Sequence, residues 1–214
     1  MKSTTIIFLM LAITFNACKS PGDKIQELTN DLIINIEQRD FDKIDQYTSQ
    51  SIDSLLSKYI LICKYIDQPE NLLGYDTITV SHINIHENKA NALVNDFHVV
   101  QYERDDGNWQ ITQFPDLNIK LTTIIFLYAL ETQYFQLALQ LTTESLQNKI
   151  SLMEQYERLT KGEVTIKKAK HNFKIDRLKI ENEKARVYYK QNGMISSLSL
   201  TRKNDKWLVN NIVE

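Results

Sequence analysis

Asp96 and His98 are two titratable residues that stand two positions apart in a stretch with alternating apolar residues. Successive side chains of a β-strand point to opposite faces, so a continuous strand over 90–104 would place both on one face. A carboxylate beside an imidazole orients the ring and favours its protonated form, which suits a general acid and base. The sequence therefore offers Asp96 and His98 as candidates for proton transfer. The plainer interpretation is an exposed polar stretch of a strand.

Other chemical signatures are missing from the sequence. The chain has five glycines and no glycine-rich phosphate loop, and its net charge of −2 comes from interspersed charges of both signs rather than from a basic stripe. A basic stripe is the electrostatic footprint of nucleic-acid binding. No group of histidine, cysteine and acidic residues has the spacing of a metal site. We therefore predict no cofactor, no metal site and no nucleic-acid partner.

The N-terminus reads MKSTTIIFLMLAITFNAC and looks like a targeting segment. Its apolar run over 6–15 is too short to span a bilayer and is typical of the core of a signal peptide. The small residue directly before Cys18 resembles the lipobox of bacterial lipoproteins. This resemblance implies cleavage of the signal peptide 1–17 and an anchor in the lipid bilayer through acylated Cys18, with 18–23 as a tether. The alternative is an ordinary secretory signal with an unrelated cysteine.

The residues after the lipidation site bear on location and on cysteine chemistry. Lys19, with no acidic cluster behind it, favours an outer-membrane lipoprotein that faces the periplasm. With Cys18 used by lipid, Cys63 is a single thiol and cannot form an internal disulfide. Its apolar surroundings, KYILICKYI, predict a buried structural cysteine rather than a nucleophile.

The chain repeats itself after roughly 95 residues, a period that indicates two domains rather than a solenoid. Segment 37–52 shares Glu, Phe, Gln, Thr and Ser with segment 131–146, and the phrase RDDGNW returns as RKNDKW near the C-terminus. We therefore predict a duplicated domain, with a first copy over 24–116 and a second over 117–214.

Each copy begins with apolar residues at helical spacing and ends with residues that alternate with period two. In the first copy the long strand 90–104 is followed by a hairpin turn with the Asp-Gly signal. The second copy has helices over about 119–160, then strands that begin with 163–174 and include an Asn-Gly turn. Helices followed by an antiparallel meander predict the α+β class, with helices packed on one face of a curved sheet.

This order of elements, seen twice and closed by D-G-x-W-x-I at 106–111, resembles the nuclear transport factor 2-like fold. The resemblance implies two tandem cone-shaped domains, each with N-terminal helices on a curved antiparallel sheet and a pocket on its concave face. Enzymes of this class place Asp, His or Tyr in that pocket. Trp109 and Trp207 are expected to close the last hairpin of each cone rather than to stack on a ligand.

The two copies differ in their first helix. Segment 121–130 carries no charge and is apolar nearly all round, as is typical of a helix that is buried on several sides. It is too short for a membrane span. We predict that Ile124, Leu127 and Tyr128 form an interface, either a rigid contact between the domains or a surface for a homodimer or a partner chain.

Three functions remain open at this stage. The first is a membrane-anchored periplasmic lipoprotein that acts as a non-enzymatic module and binds a small apolar ligand or another envelope protein. The second is a small isomerase- or dehydratase-like enzyme that uses Asp96 and His98 in the first-domain pocket. The third is a purely structural lipoprotein or an immunity-type partner. The sequence favours the first without deciding whether the protein is an enzyme.

Overall fold

The computed structural model describes residues 19–48, 50–67, 72–75, 77–96, 98–162 and 164–213. The signal peptide 1–17 and the lipidation site Cys18 lie outside the described residues, so both stay predictions.

The described residues form two helical groups, each followed by four strands. The first half contains α1 (Pro21–Gln38), a 3₁₀ helix (Phe41–Gln46), α2 (Gln50–Cys63), β1 (Val80–His86), β2 (Lys89–Val94), β3 (His98–Asp105) and β4 (Asn108–Gln113). The second half contains α3 (Pro115–Glu131), α4 (Phe135–Leu139), α5 (Glu144–Lys161), β5 (Phe173–Glu181), β6 (Lys184–Gln191), β7 (Met194–Lys203) and β8 (Lys206–Val213). Each set of strands forms a four-stranded antiparallel sheet in chain order. The α+β class is confirmed.

Helix α1 begins with a capping box. The Ser20 hydroxyl oxygen accepts a hydrogen bond from the backbone N–H of Asp23 at 3.1 Å, and the Asp23 carboxylate accepts one from the backbone N–H of Ser20 at 3.0 Å. This reciprocal pair satisfies two donors that the start of a helix otherwise leaves free, and Pro21 at the first position favours helical φ. The helix therefore takes up the end of the segment 18–23 that was expected to be a tether.

The last strand of each sheet is tied to its own helical group in the same way. In the first half the backbone N–H of Ile111 donates to the carbonyl of Tyr47, and in the second half Val209 donates to Leu141, both at 2.8 Å. Strand β4 thereby forms an isolated parallel bridge with the end of the 3₁₀ helix segment, and β8 forms one after α4. The two halves thus share local hydrogen bonding as well as the order of elements.

Two of the predicted strands are wrong. The continuous strand over 90–104 is a hairpin, because Asn95 and Asp96 adopt positive φ values of 51° and 60° between β2 and β3. Asn and Asp tolerate this left-handed conformation, and the apolar alternation on both sides hides the turn. The second error is the strand over 163–174, since the described residues 164–172 are not in a strand and β5 starts at Phe173.

One hydrophobic core runs through both halves, and α3 lies at its centre. Helix α3 contacts α2 and β3 of the first half as well as β5, β6 and β8 of the second. Ile124, Ile125 and Phe126 are fully buried. A helix that is apolar on all sides must be covered on all sides, and α3 is covered by elements of both halves.

Candidate functional site

The structure gives Asp96 and His98 different surroundings. Asp96 lies in the turn between β2 and β3, where its carboxylate accepts a hydrogen bond from the Ser81 hydroxyl at 2.8 Å. His98 begins β3, and its Nε2 lies 3.6 Å from Oδ1 of Asp116 near the start of α3. The carboxylate beside the imidazole therefore belongs to Asp116. The sequence did not single out this residue, because it is far from His98 along the chain.

A buried polar cluster surrounds Asp116, and we call Tyr75, His98, Asp116 and Lys120 the Asp116 cluster. The Tyr75 hydroxyl donates a hydrogen bond to the Asp116 carboxylate, and Lys120 Nζ lies 3.5 Å from Asp116 Oδ2. The same Nζ lies 3.5 Å above the centre of the Tyr75 ring, which adds a cation–π contact. Burial, and then the negative charge of Asp116, raise the pKa of Tyr75 well above its usual value, so this hydroxyl stays protonated and donates.

The Asp116 cluster joins the two halves of the chain. Tyr75 comes from the loop before β1 and His98 from β3, whereas Asp116 and Lys120 come from α3. The Asp116 side chain has no exposed surface, and His98, with 24% of its side chain exposed, is the member that reaches solvent most. A charge inside a protein needs a partner and hydrogen bonds. Asp116 has Lys120 as its partner and a hydrogen bond from Tyr75 to Oδ2, whereas its Oδ1 accepts no hydrogen bond from the described residues. The arrangement can stabilise the fold, and catalysis by His98 stays a prediction.

A carboxylate at the end of the first helix of each half accepts a hydrogen bond from the loop that precedes the sheet. In the first half Glu37 accepts a hydrogen bond from the backbone N–H of Leu73 at 3.2 Å, and burial raises the pKa of Glu37. In the second half Glu131 accepts one from the backbone N–H of Lys170 at 3.1 Å and lies 2.9 Å from Nδ1 of His171. The two loops therefore dock on equivalent carboxylates.

The residues that these loops bring in are different. In the first half the docked loop carries Leu72 and Leu73, and both are buried in the core. In the second half Ala169 and Lys170 stand at the docked position, one half-buried and the other exposed. The first half thus contributes two large apolar side chains where the second half contributes a small one and a charged one.

An open groove of about 610 Å3 lies in the second half between α3, α5 and the sheet, and we call it the α5 groove. This volume falls within the range of small-molecule sites, which are concave and mostly apolar with a few polar groups. The lining residues are Leu127, Leu130, Glu131, Gln133, Phe135, Leu152, Met153, Tyr156, Glu157, Phe173, Tyr189, Gln191 and Ile212.

Helix α5 exposes apolar side chains at positions that are buried in the first half. Met153 and Tyr156 are 48% and 65% exposed, whereas Tyr59 and Ile62 at the corresponding positions of α2 are 1% and 0% exposed. This groove was not predicted from the sequence. Its signal was an apolar stripe on α5, but such a stripe ordinarily marks a face packed on a core.

The predicted interface residues lie inside the chain. Ile124 and Tyr128 are fully buried and Leu127 nearly so, and Leu127 also lines the α5 groove. The Tyr128 ring packs edge-on against Phe173 with centroids 4.9 Å apart, and its hydroxyl accepts a hydrogen bond from the backbone N–H of Phe173 at 3.2 Å. Ile124 and Tyr128 are therefore covered within one chain.

Cys63 lies in the core at the end of α2. Burial raises the pKa of its thiol to about 11, which keeps the thiol protonated at neutral pH. A thiol of this kind is inert, since the thiolate is the reactive form. The structure therefore confirms Cys63 as a buried structural residue.

Comparison with protein-family models, with curated proteins and with solved structures finds no match to this chain. Over the described residues, no helix has the length and apolar character needed to cross a membrane. In the same part of the chain, no three histidine, cysteine or acidic side chains gather as they would around a metal ion. Function must therefore be inferred from the chain's own side chains.

Proposed function

We propose that this protein is a lipid-anchored binding module of the bacterial envelope, built from two nuclear transport factor 2-like cones, whose second half binds a small apolar ligand in the α5 groove. One observation carries the proposal. The second half has an open apolar groove whose α5 side chains, Met153 and Tyr156, are exposed at positions that are buried in the first half. Two halves with one pattern of hydrogen bonds support the tandem arrangement.

The lining of the α5 groove favours a neutral, apolar ligand. Its aromatic and aliphatic side chains offer apolar surface, and a flexible methionine such as Met153 adapts to irregular shapes. Both carboxylates at the rim already have basic partners, since Glu131 lies 2.9 Å from His171 and Glu157 lies 2.6 Å from Lys161. A neutral ligand therefore gains from burial of its apolar surface, at about 25 cal/mol per Å2, without leaving a charge unpaired.

We expect Met153→Glu to weaken the binding of a neutral aromatic probe to the α5 groove by roughly tenfold or more, because the new carboxylate must be desolvated when the probe is bound. The probe is N-phenyl-naphthylamine, whose fluorescence rises in apolar surroundings, titrated into the chain from Lys19 onwards. This chain keeps every described helix and strand. Met153 is half-exposed, so the substitution leaves the core intact.

Leu159→Glu is the matched control for this titration. Leu159 lies on the same helix and is 87% exposed, but it does not line the groove. We expect its probe affinity to equal that of the unsubstituted chain. Equal weakening by both substitutions, or an unsubstituted chain that binds no probe, would contradict a small-ligand site and leave a protein partner as the occupant to seek.

The anchor is tested separately through its cysteine. We expect the full chain with Cys18→Ser, produced in a bacterium fed labelled palmitate, to lose the label and to move from the membrane fraction to the soluble envelope fraction. The thioether bond and the amide bond that attach lipid both form on Cys18. Stable anchoring needs more than one acyl chain. Cys63→Ser is the control and should keep both label and location, since Cys63 is buried in the fold. Label on the Cys18→Ser chain would rule out this anchor.

A further inference from the structure

A second cavity lies between the two halves, and we call it the hairpin cleft. It has a volume of about 340 Å3 and is bounded by α2, α3, the end of α4 and the hairpin between β7 and β8. Its polar side and one aromatic wall come from Ser54, Lys58, Asn118, Thr122, Lys206 and Trp207. The cleft is distinct from the α5 groove, because the two share no lining residue.

The hairpin cleft brings together two ammonium groups. Lys58 Nζ donates to the carbonyl and to the hydroxyl of Ser54, both at 3.2 Å, and in the described part of the chain neither Lys58 nor Lys206 has a carboxylate partner. Burial, and then the like charge of Lys206, lower the pKa of Lys58. Asp205 also borders the cleft, but Arg202 holds its carboxylate at 2.8 Å. The cleft therefore has a positive potential that an anion would relieve.

The remaining walls of the cleft are suited to an organic body. Trp207, which was predicted to close its hairpin rather than to stack on a ligand, is nearly buried but also lines the cleft. Leu55 and Leu141 add apolar surface. The side-chain oxygen of Asn118 is buried, and the described residues supply no hydrogen-bond partner for it. Buried polar atoms ordinarily have such a partner, so this oxygen can accept a hydrogen bond from a bound molecule.

We propose that the hairpin cleft binds a small organic anion, with its acidic group between Lys58 and Lys206 and a flat apolar body against Trp207. An aromatic ring offers a face for such a body, and charged hydrogen bonds to ammonium groups orient the acidic end. A carboxylate, a sulfonate and a phosphate share this chemistry. Because α2 belongs to the first half and the hairpin to the second, the ligand contacts both halves.

The test uses two probes that share one ring system. Anilinonaphthalene sulfonate is the anionic probe, and N-phenyl-naphthylamine is its counterpart without the sulfonate. The anionic probe is titrated into the chain from Lys19 onwards with Met153→Glu, so that the α5 groove contributes little, and the neutral probe is titrated into the same chain with Met153 retained. We expect Lys58→Gln with Lys206→Gln to weaken binding of the anionic probe by roughly tenfold, since two charge-assisted contacts are lost. Binding of the neutral probe to the chain with an intact groove should not change.

Lys24→Gln with Lys89→Gln is the matched control, because it removes the same charge from exposed positions on α1 and β2. It should leave the affinity for the anionic probe unchanged. An equal loss in the control would mean general attraction to net positive charge, and no loss in the Lys58 and Lys206 variant would mean binding elsewhere; either result overturns the proposal. If the α5 groove binds no small ligand, the neutral probe will not bind to the chain with an intact groove. The two proposals can therefore fail independently. Competition by inorganic phosphate and by benzoate then identifies which acidic group the cleft prefers.

Discussion

We expect Asp116→Ala to lower the free energy of unfolding by about 3 kcal/mol, because breaking a buried ion pair leaves the other charge uncompensated. The substitution removes the carboxylate 3.5 Å from Lys120 and the acceptor of the Tyr75 hydroxyl. The loss lies near the lower end of the range for such changes, roughly 3–5 kcal/mol, because Glu37 is close enough to Lys120 to interact with its charge. Urea denaturation of the chain from Lys19 onwards, followed by tryptophan fluorescence, measures it.

Two further variants separate charge from hydrogen bonding in the Asp116 cluster. Asp116→Asn keeps an acceptor for Tyr75 and removes the charge. Its free energy of unfolding should therefore lie between those of the unsubstituted chain and of Asp116→Ala. Asp116→Asn combined with Lys120→Met should recover part of the loss, because replacing both members of a buried pair is often neutral. If Asp116→Ala lowered the free energy of unfolding by less than about 1 kcal/mol, the contribution of the Asp116 cluster would be no larger than that of a surface ion pair. That result would contradict the prediction.

We expect Gly74→Ala to have the second large effect, a loss of about 2–4 kcal/mol in the free energy of unfolding. Gly74 has a φ of +66°, and a left-handed conformation is unfavourable for other residues by roughly 1–2 kcal/mol. A Cβ at this position would also lie 2.4 Å from the backbone carbonyl oxygen of Ile175. The loop must then move away from β5 and weaken the 3.0 Å hydrogen bond from the Ile175 N–H to the Leu72 carbonyl, worth about 0.5–1.5 kcal/mol.

Gly107→Ala is the matched control for Gly74. Gly107 also has a positive φ, +87°, but a Cβ there would meet no atom within 4 Å. It therefore isolates the conformational part of the effect, about 1–2 kcal/mol. The same urea titration applies to both variants. Equal losses at the two positions would contradict a close approach between the loop and β5.

Much of the fold follows from local patterns in the sequence. The Asp-Gly and Asn-Gly pairs at 106–107 and 192–193 mark hairpin turns that the structure contains, and helical spacing of apolar residues marks α1, α2 and α3. The turn at Asn95 and Asp96 escapes prediction because apolar alternation continues on both sides of it. A period of two does not reveal that a strand has reversed direction.

The candidate sites were less accessible to sequence reasoning. Whether Met153 meets a core or an open groove depends on tertiary packing, which the spacing of apolar residues along α5 does not show. The pairing of His98 with Asp116 depends on how α3 lies against β3. Asp116 and Lys120 stand one helical turn apart, a spacing at which opposite charges can pair, but no prediction was drawn from this pair. Nothing in the sequence linked it to Tyr75.

Helix α3 gives the chain a further property. It is the first helix of the second half, and it also covers α2 of the first half. During synthesis, the residues before Pro115 therefore emerge without the surface that covers α2. The first half can finish folding only when α3 has followed it. A break in the chain between β4 and α3 would leave each fragment with an apolar face in water, so the two halves behave as one unit in assembly.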